Sequence, residues 1–97
     1  MLTLRDLNEC FDQAKEVGAS LIAVKVRVGD SADETIINPS SNFEEKIAYY
    51  NNTYSEILRH KFSVDKEIQI TAFAHGGSYK ELERNLEIMI HNGYKLN

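Results

Sequence analysis

Between Gly18 and Gly29 the hydrophobic period of the chain changes from that of a helix to that of a strand, and this change constrains the fold more than any other feature. Before Gly18, the residues Leu4, Leu7, Cys10, Phe11, Ala14 and Val17 recur at spacings of three and four, which predicts a helix over about Thr3 to Val17. Thr3 is placed to cap it and Asp6 to meet its positive end, while Asp6, Glu9, Asp12 and Glu16 lie off the apolar stripe. After it, Ile22, Val24, Val26 and Val28 alternate with Leu21, Ala23, Lys25 and Arg27, which predicts a strand from Ser20 to Val28 with one fully apolar face.

The same punctuation divides the rest of the chain. All five glycines and the one proline, Pro39, fall where an element should end or turn. A loop over 29–33 leads to a short strand, Glu34 to Asn38, expected to pair with the first as an antiparallel hairpin. Ser40, Ser41 and Asn42 then start a second helix, predicted to run to about His60 on the stripe Phe43, Ile47, Tyr50, Tyr54, Ile57 and Lys61, widened by Leu58. A third strand follows from Glu67 to Ala74. Ser78, with Glu81 three residues on, opens a last helix carrying Leu82, Leu86, Met89 and Ile90, with Gly93 as its stop and Tyr94 folding back.

The order is α-β-β-α-β-α, and 97 residues suit a single domain, 1–97. The fold expected is α+β, a two-layer sandwich of a mixed three-stranded sheet with helices on one face, the parallel pair coming from the β-α-β connection. On that expectation the second sheet face is open. It carries Leu21, Ala23 and Phe73 among Lys25, Arg27 and the polar residues of the third strand, and two sheet edges need cover.

Charge and composition narrow the function classes. A net charge of −4 opposes general affinity for nucleic acid, whose phosphates need lysine and arginine, and Phe73 is the one aromatic residue expected beside Lys25 and Arg27 to stack a base. An acidic helix face mimicking nucleic acid, from Asp6, Glu9, Asp12 and Glu16, reads better as a solvated face. The lone Cys10 forms no internal disulfide and reads as a packed small hydrophobe. No apolar run is long enough to span a bilayer and no signal peptide opens the chain, so a cytoplasmic protein is expected.

The segment closest to a chemical motif is His75-Gly76-Gly77-Ser78 followed by Lys80, where a strand ends in small residues at a helix start and backbone amides could meet an anion. The spacing is not that of a P-loop or a dinucleotide fingerprint, and no Gly-x-Ser-x-Gly elbow accompanies the His-Gly-Gly. His60, His75 and His91 form no helical metal pair, and Asp30, Asp33 and Glu34 do not follow a calcium-loop pattern, so neither metal nor cofactor is expected. Of Tyr49, Tyr50 and Tyr54, the last two fit the core stripe and Tyr49 falls off it, toward a partner.

The runs 12–18 and 24–28, with Ile36-Ile37-Asn38-Pro39 and Tyr49-Tyr50-Asn51, resemble the short accessory proteins of phages and prophages of low-GC Gram-positive bacteria. The resemblance is one of size and composition across most of the chain. It implies a setting and no catalytic residue. Together these features lead to the expectation of a non-enzymatic protein that binds a protein partner or itself, as a homodimer, through Leu21, Ala23, Lys25, Arg27, Phe73 and Tyr49. The alternative is a small anion- or nucleotide-binding protein, or an enzyme, built on His75, Gly76, Gly77, Ser78 and Lys80.

Overall fold

A computed structural model describes residues 1–92. Helix α1 spans Leu4–Val17, strand β1 Leu21–Val28 and strand β2 Glu34–Pro39. A 3-10 turn at Ser40–Asn42 leads into α2 (Phe43–Thr53), and β3 (Ile68–Gly76) and α3 (Tyr79–His91) complete the order. The α+β class and the α-β-β-α-β-α sequence of elements are those the periodicity predicts.

Local chemistry explains the helix ends. Thr3 Oγ1 accepts from the Asp6 backbone N–H while the Asp6 carboxylate accepts from the Thr3 N–H, a reciprocal cap. Gly18 ends α1 at φ +68, a left-handed conformation that a β-carbon resists. Ser78 caps α3 through the Glu81 N–H, but the Glu81 carboxylate reaches one residue further back, to the Gly77 N–H. The Gly93 stop and Tyr94 lie outside the described residues.

The sheet has the order β2-β1-β3 and is antiparallel throughout. This corrects the expectation of a mixed sheet. The β2-α2-β3 connection does carry the chain between two strands of the same direction, but β1 lies between them, so no parallel pair forms.

The helices are also not confined to one face. Leu7, Cys10, Phe11 and Ala14 of α1, with Phe43 and Tyr50 of α2, pack on Ile22, Val24, Val26, Ile70 and Phe73. On the opposite face Leu82 and Leu86 of α3 pack on Ala23, Ala72 and Ala74, three small side chains that let the helix sit close. Three layers result where two were expected. Burying both faces of β1 accounts for its near-continuous apolar run.

One irregularity decides which residues face which helix. Lys25 opposes Ala72 and Val26 opposes Ile70, so Thr71 is an extra residue in β3, a β-bulge. Below it Ile68 and Ile70 turn toward α1. Above it the phase is reversed: Phe73, opposite Val24, turns toward α1, and Ala72 and Ala74 turn toward α3. Phe73 is therefore 2% exposed in the α1 core and not on a face with Leu21 and Ala23.

Helix α2 stops at Thr53, short of the expected His60. Tyr54 is extended, and the chain turns through Ser55 to run back along β3. Tyr54 and Leu58 are still buried at the spacing of a helix, but from this irregular segment. Leu58 is held at φ +64 with its side chain fully enclosed.

Candidate functional site

The surface expected to be open is covered. Ala23 is buried and Leu21 half-buried beneath α3. Lys25 is half-buried and Arg27 exposed, and Arg27 Nε pairs with Asp33 at 2.9 Å. Tyr49 is exposed, as expected, with Lys46 Nζ 5.2 Å from its ring centre and edge contacts to Tyr50 and Tyr54. The six residues proposed together as an interface are thus dispersed: Ala23 and Phe73 are buried on opposite faces of the sheet, Leu21, Lys25 and Arg27 lie along β1, and Tyr49 is exposed on α2.

The turn at 75–78 is assembled as the sequence suggests, but it uses its own polar groups. The Gly77 N–H donates to Glu81 Oε1 at 2.7 Å, so a carboxylate of the chain sits where an anion would bind. Ser20 Oγ donates to the Gly77 carbonyl, and Asn85 Nδ2 to the His75 carbonyl. Lys80 is exposed and forms no ion pair among the described residues. Gly76 has a packing reason: a β-carbon there would lie 2.7 Å from the Leu82 nitrogen and 2.8 Å from its Cα.

The clefts carry little reactive chemistry. One of about 520 Å3 lies between α1 and α3 beside β3, lined by Asp6, Glu9, Cys10, His75, Asn85 and Met89 among others. Asp6 there is committed to the α1 cap, and burial pushes the Cys10 thiol up to about 12, keeping it protonated. Among the described residues no group of three or more His, Cys, Asp or Glu is placed to hold a metal ion.

What stands out is a contrast between the two edges of the sheet. The outer edge of β3 is closed by the chain itself from Ile68 to Ile70. Ile70 N–H donates to the Leu58 carbonyl, His60 N–H to the Ile68 carbonyl, and Gln69 Nε2 reaches the Ile57 carbonyl at 2.8 Å. Asn85 closes the same edge at His75.

Among the described residues the outer edge of β2 has no such cover. Ser40 N–H donates to the Ser20 carbonyl, extending the register in which Asn38, Ile36 and Glu34 oppose Ile22, Val24 and Val26. Because backbone groups alternate direction along an antiparallel strand, these even residues bond to β1 and the N–H and C=O of Thr35 and Ile37 point outward. Neither has a partner among the described residues. Ile36 (41%) and Ile37 (40%) are exposed on the two faces of this strand, and the register with β1 has no bulge to turn the edge away.

Beside the edge, on the α3 face, runs a groove of about 400 Å3. Helix α3 sits over β3 and β1 and leaves β2 uncovered, so Ile37, Leu82, Leu86 and Ile90 line the groove, with Lys25 and Glu87 at its rim. The hairpin and helix were legible in the sequence. The open edge was not, because it depends on which strand lies at the margin of the sheet.

Comparison with known proteins adds no relative: no family model, no curated protein and no solved structure matches the chain.

Proposed function

We propose that this chain is a non-enzymatic interaction protein whose contact surface is the β2 side of the domain, the open strand edge with the groove beside it. The observation that carries the reading is the asymmetry of the sheet. One margin is bonded from Ile68 to Ile70 and again at the His75 carbonyl, while the other, among the described residues, carries no such bond and exposes Ile36 and Ile37. Strand addition to such an edge gives affinity through main-chain bonds and specificity through the flanking side chains. An accessory role in a phage or prophage is the setting that the resemblance of the sequence suggests for it.

Anion binding at 75–78 is the weaker reading, since Glu81 already occupies the free amide of the turn. The test compares partner capture by the wild-type chain, by Ile37→Lys and by Val64→Lys, the last at a fully exposed position away from the strand. Loss of a captured protein with Ile37→Lys alone supports the reading. Capture that is equal in all three, or lost equally in both variants, removes it.

A further inference from the structure

We infer that the occupant of the β2 edge is the β2 edge of a second copy, joined antiparallel about a two-fold axis through Ile36. The inference rests on the reading of β2 as the contact surface and names its partner.

The edge is complementary to itself. With the axis at Ile36, Thr35 of each copy opposes Ile37 of the other. These are the residues whose N–H and C=O groups point outward, so each pair exchanges two hydrogen bonds and all four free donors are used. Ile36 then meets its own symmetry mate across a non-bonded pair, where opposing side chains approach most closely. Glu34 faces Asn38 of the second copy, so no like charges are opposed. An axis one residue on, at Ile37, would set Thr35 against Pro39, which has no N–H to return, and Ile36 against Asn38.

Self-pairing also fits the rest of the surface. An isologous two-fold contact is the commonest way for one patch to close on itself, and it pairs the β2 edge, the margin of the sheet that the described residues leave without any such bond, while β3 is already bonded at Ile68, Ile70 and the His75 carbonyl. The pairing covers Ile36 and places the two α3 grooves side by side along the joined strands. Four backbone bonds and a few side chains form an interface smaller than the roughly 800 Å2 per partner of a standard one, so association belongs in the micromolar-to-millimolar range. Each copy carries a net charge of −4, so screening of the long-range repulsion strengthens the pair as salt rises.

The experiment measures the mass of the whole chain by light scattering across that range, with amide hydrogen exchange at both ends of it. The expected result is a doubling of mass with concentration, together with at least about tenfold slower exchange of the Thr35 and Ile37 amides in the concentrated sample. Thr35→Pro removes an outward N–H without touching the β1 ladder, and Ile37→Lys adds the charge that guards natural edges. Both should remain monomers with an unchanged circular dichroism spectrum, while Val64→Lys dimerises as the wild type does. If either variant fails to fold, the wild-type exchange data decide.

A single-chain mass at all concentrations overturns the inference. So does a doubled mass with Thr35 and Ile37 exchanging equally fast in both samples, which places the contact elsewhere. A chain that stays monomeric yet loses a captured protein on Ile37→Lys overturns the second copy as occupant and leaves the β2 reading standing.

Discussion

Thr71 Oγ1 donates to Asp33 Oδ2 at 2.6 Å, tying the β1–β2 loop to the bulged residue of β3 across the width of the central strand. The other oxygen of the same carboxylate accepts from Arg27 Nε at 2.9 Å. The Thr71 hydroxyl first, and then Arg27, hold the Asp33 carboxyl below its usual range. A bulge leaves a residue outside the ladder, and this clip fixes where that residue points. Because the folded-state pKa is depressed, the stabilisation is present above the unfolded value near 3.9 and is lost as pH falls through the folded one. Asp33→Ala should therefore cost about 1 kcal/mol at neutral pH, with the gap to wild type closing at acid pH. Urea unfolding of both proteins from neutral to acid pH measures it; a gap that is constant with pH would exclude the ionised carboxylate as its source.

The two neighbouring glycines of the 75–78 turn should respond to a very different degree. A β-carbon on Gly76 meets the backbone of Leu82 below 3 Å, and neither α3 nor the strand end can give way without loss of the Leu82 and Leu86 packing. On Gly77 the nearest group is the Glu81 carboxylate at 3.6 Å, an ordinary contact. Gly76→Ala is expected to destabilise by about 2 kcal/mol or more and Gly77→Ala by less than about 1 kcal/mol. Thermal melts of the two variants beside wild type settle the contrast.

How much of this was legible in the sequence can be followed residue by residue. The helix and strand periods located the six major elements, and Thr3, Gly18 and Ser78 marked their ends, because caps and alternation are local. The bulge was not legible. Ile68, Ile70, Ala72 and Ala74 read as one unbroken face because alanine is apolar enough to continue the alternation on either side of Thr71. That slip placed Phe73 on the wrong face and made the α3 side look open. Helix α2 was overextended for a similar reason: Tyr54 and Leu58 are buried at helical spacing from Tyr50, but an extended segment buries them. For the candidate site, His75 to Ser78 were found as a turn, whereas Ile36 and Ile37 gained meaning only once β2 proved to be a margin.

Cys10 should set the first alkaline limit of stability. Burial raises its thiol to about 12 and that of the Tyr54 hydroxyl to about 12, and pushes Tyr50 up as well. Below the unfolded thiol value of about 8.5 both states keep the proton and the effect is nil. Above it the unfolded chain releases a proton that the folded chain retains, so stability falls by up to about 1.4 kcal/mol per pH unit until the folded value is reached. Cys10→Ala is expected to move the onset of this fall from about pH 8.5 to about pH 10, where tyrosine titrates in the unfolded state. Denaturation midpoints between neutral and strongly alkaline pH test this, and an unchanged onset in the variant would assign the fall to other groups. In the native wild type the thiol should also resist alkylation at a rate set by opening of the fold.

Phe73 and Ile37 separate core from surface most sharply. Both are large apolar residues of the sheet, yet Phe73, opposite Val24, is buried in the core cluster it shares with Phe11 and Cys10 of α1, whereas Ile37 stands at the margin. Phe73→Ala removes an enclosed ring and leaves a cavity, for an expected loss of about 3–5 kcal/mol, a large share of the stability of a domain this small. Ile37→Lys strips only part of an exposed side chain from its surroundings and should shift stability by less than about 1 kcal/mol. The pair of chemical denaturation curves reads both values at once. A mild Phe73→Ala would mean that the Thr71 bulge does not turn this ring into the α1 core. A severe Ile37→Lys would mean that β2 needs the isoleucine for folding and is not free to offer it to a second chain.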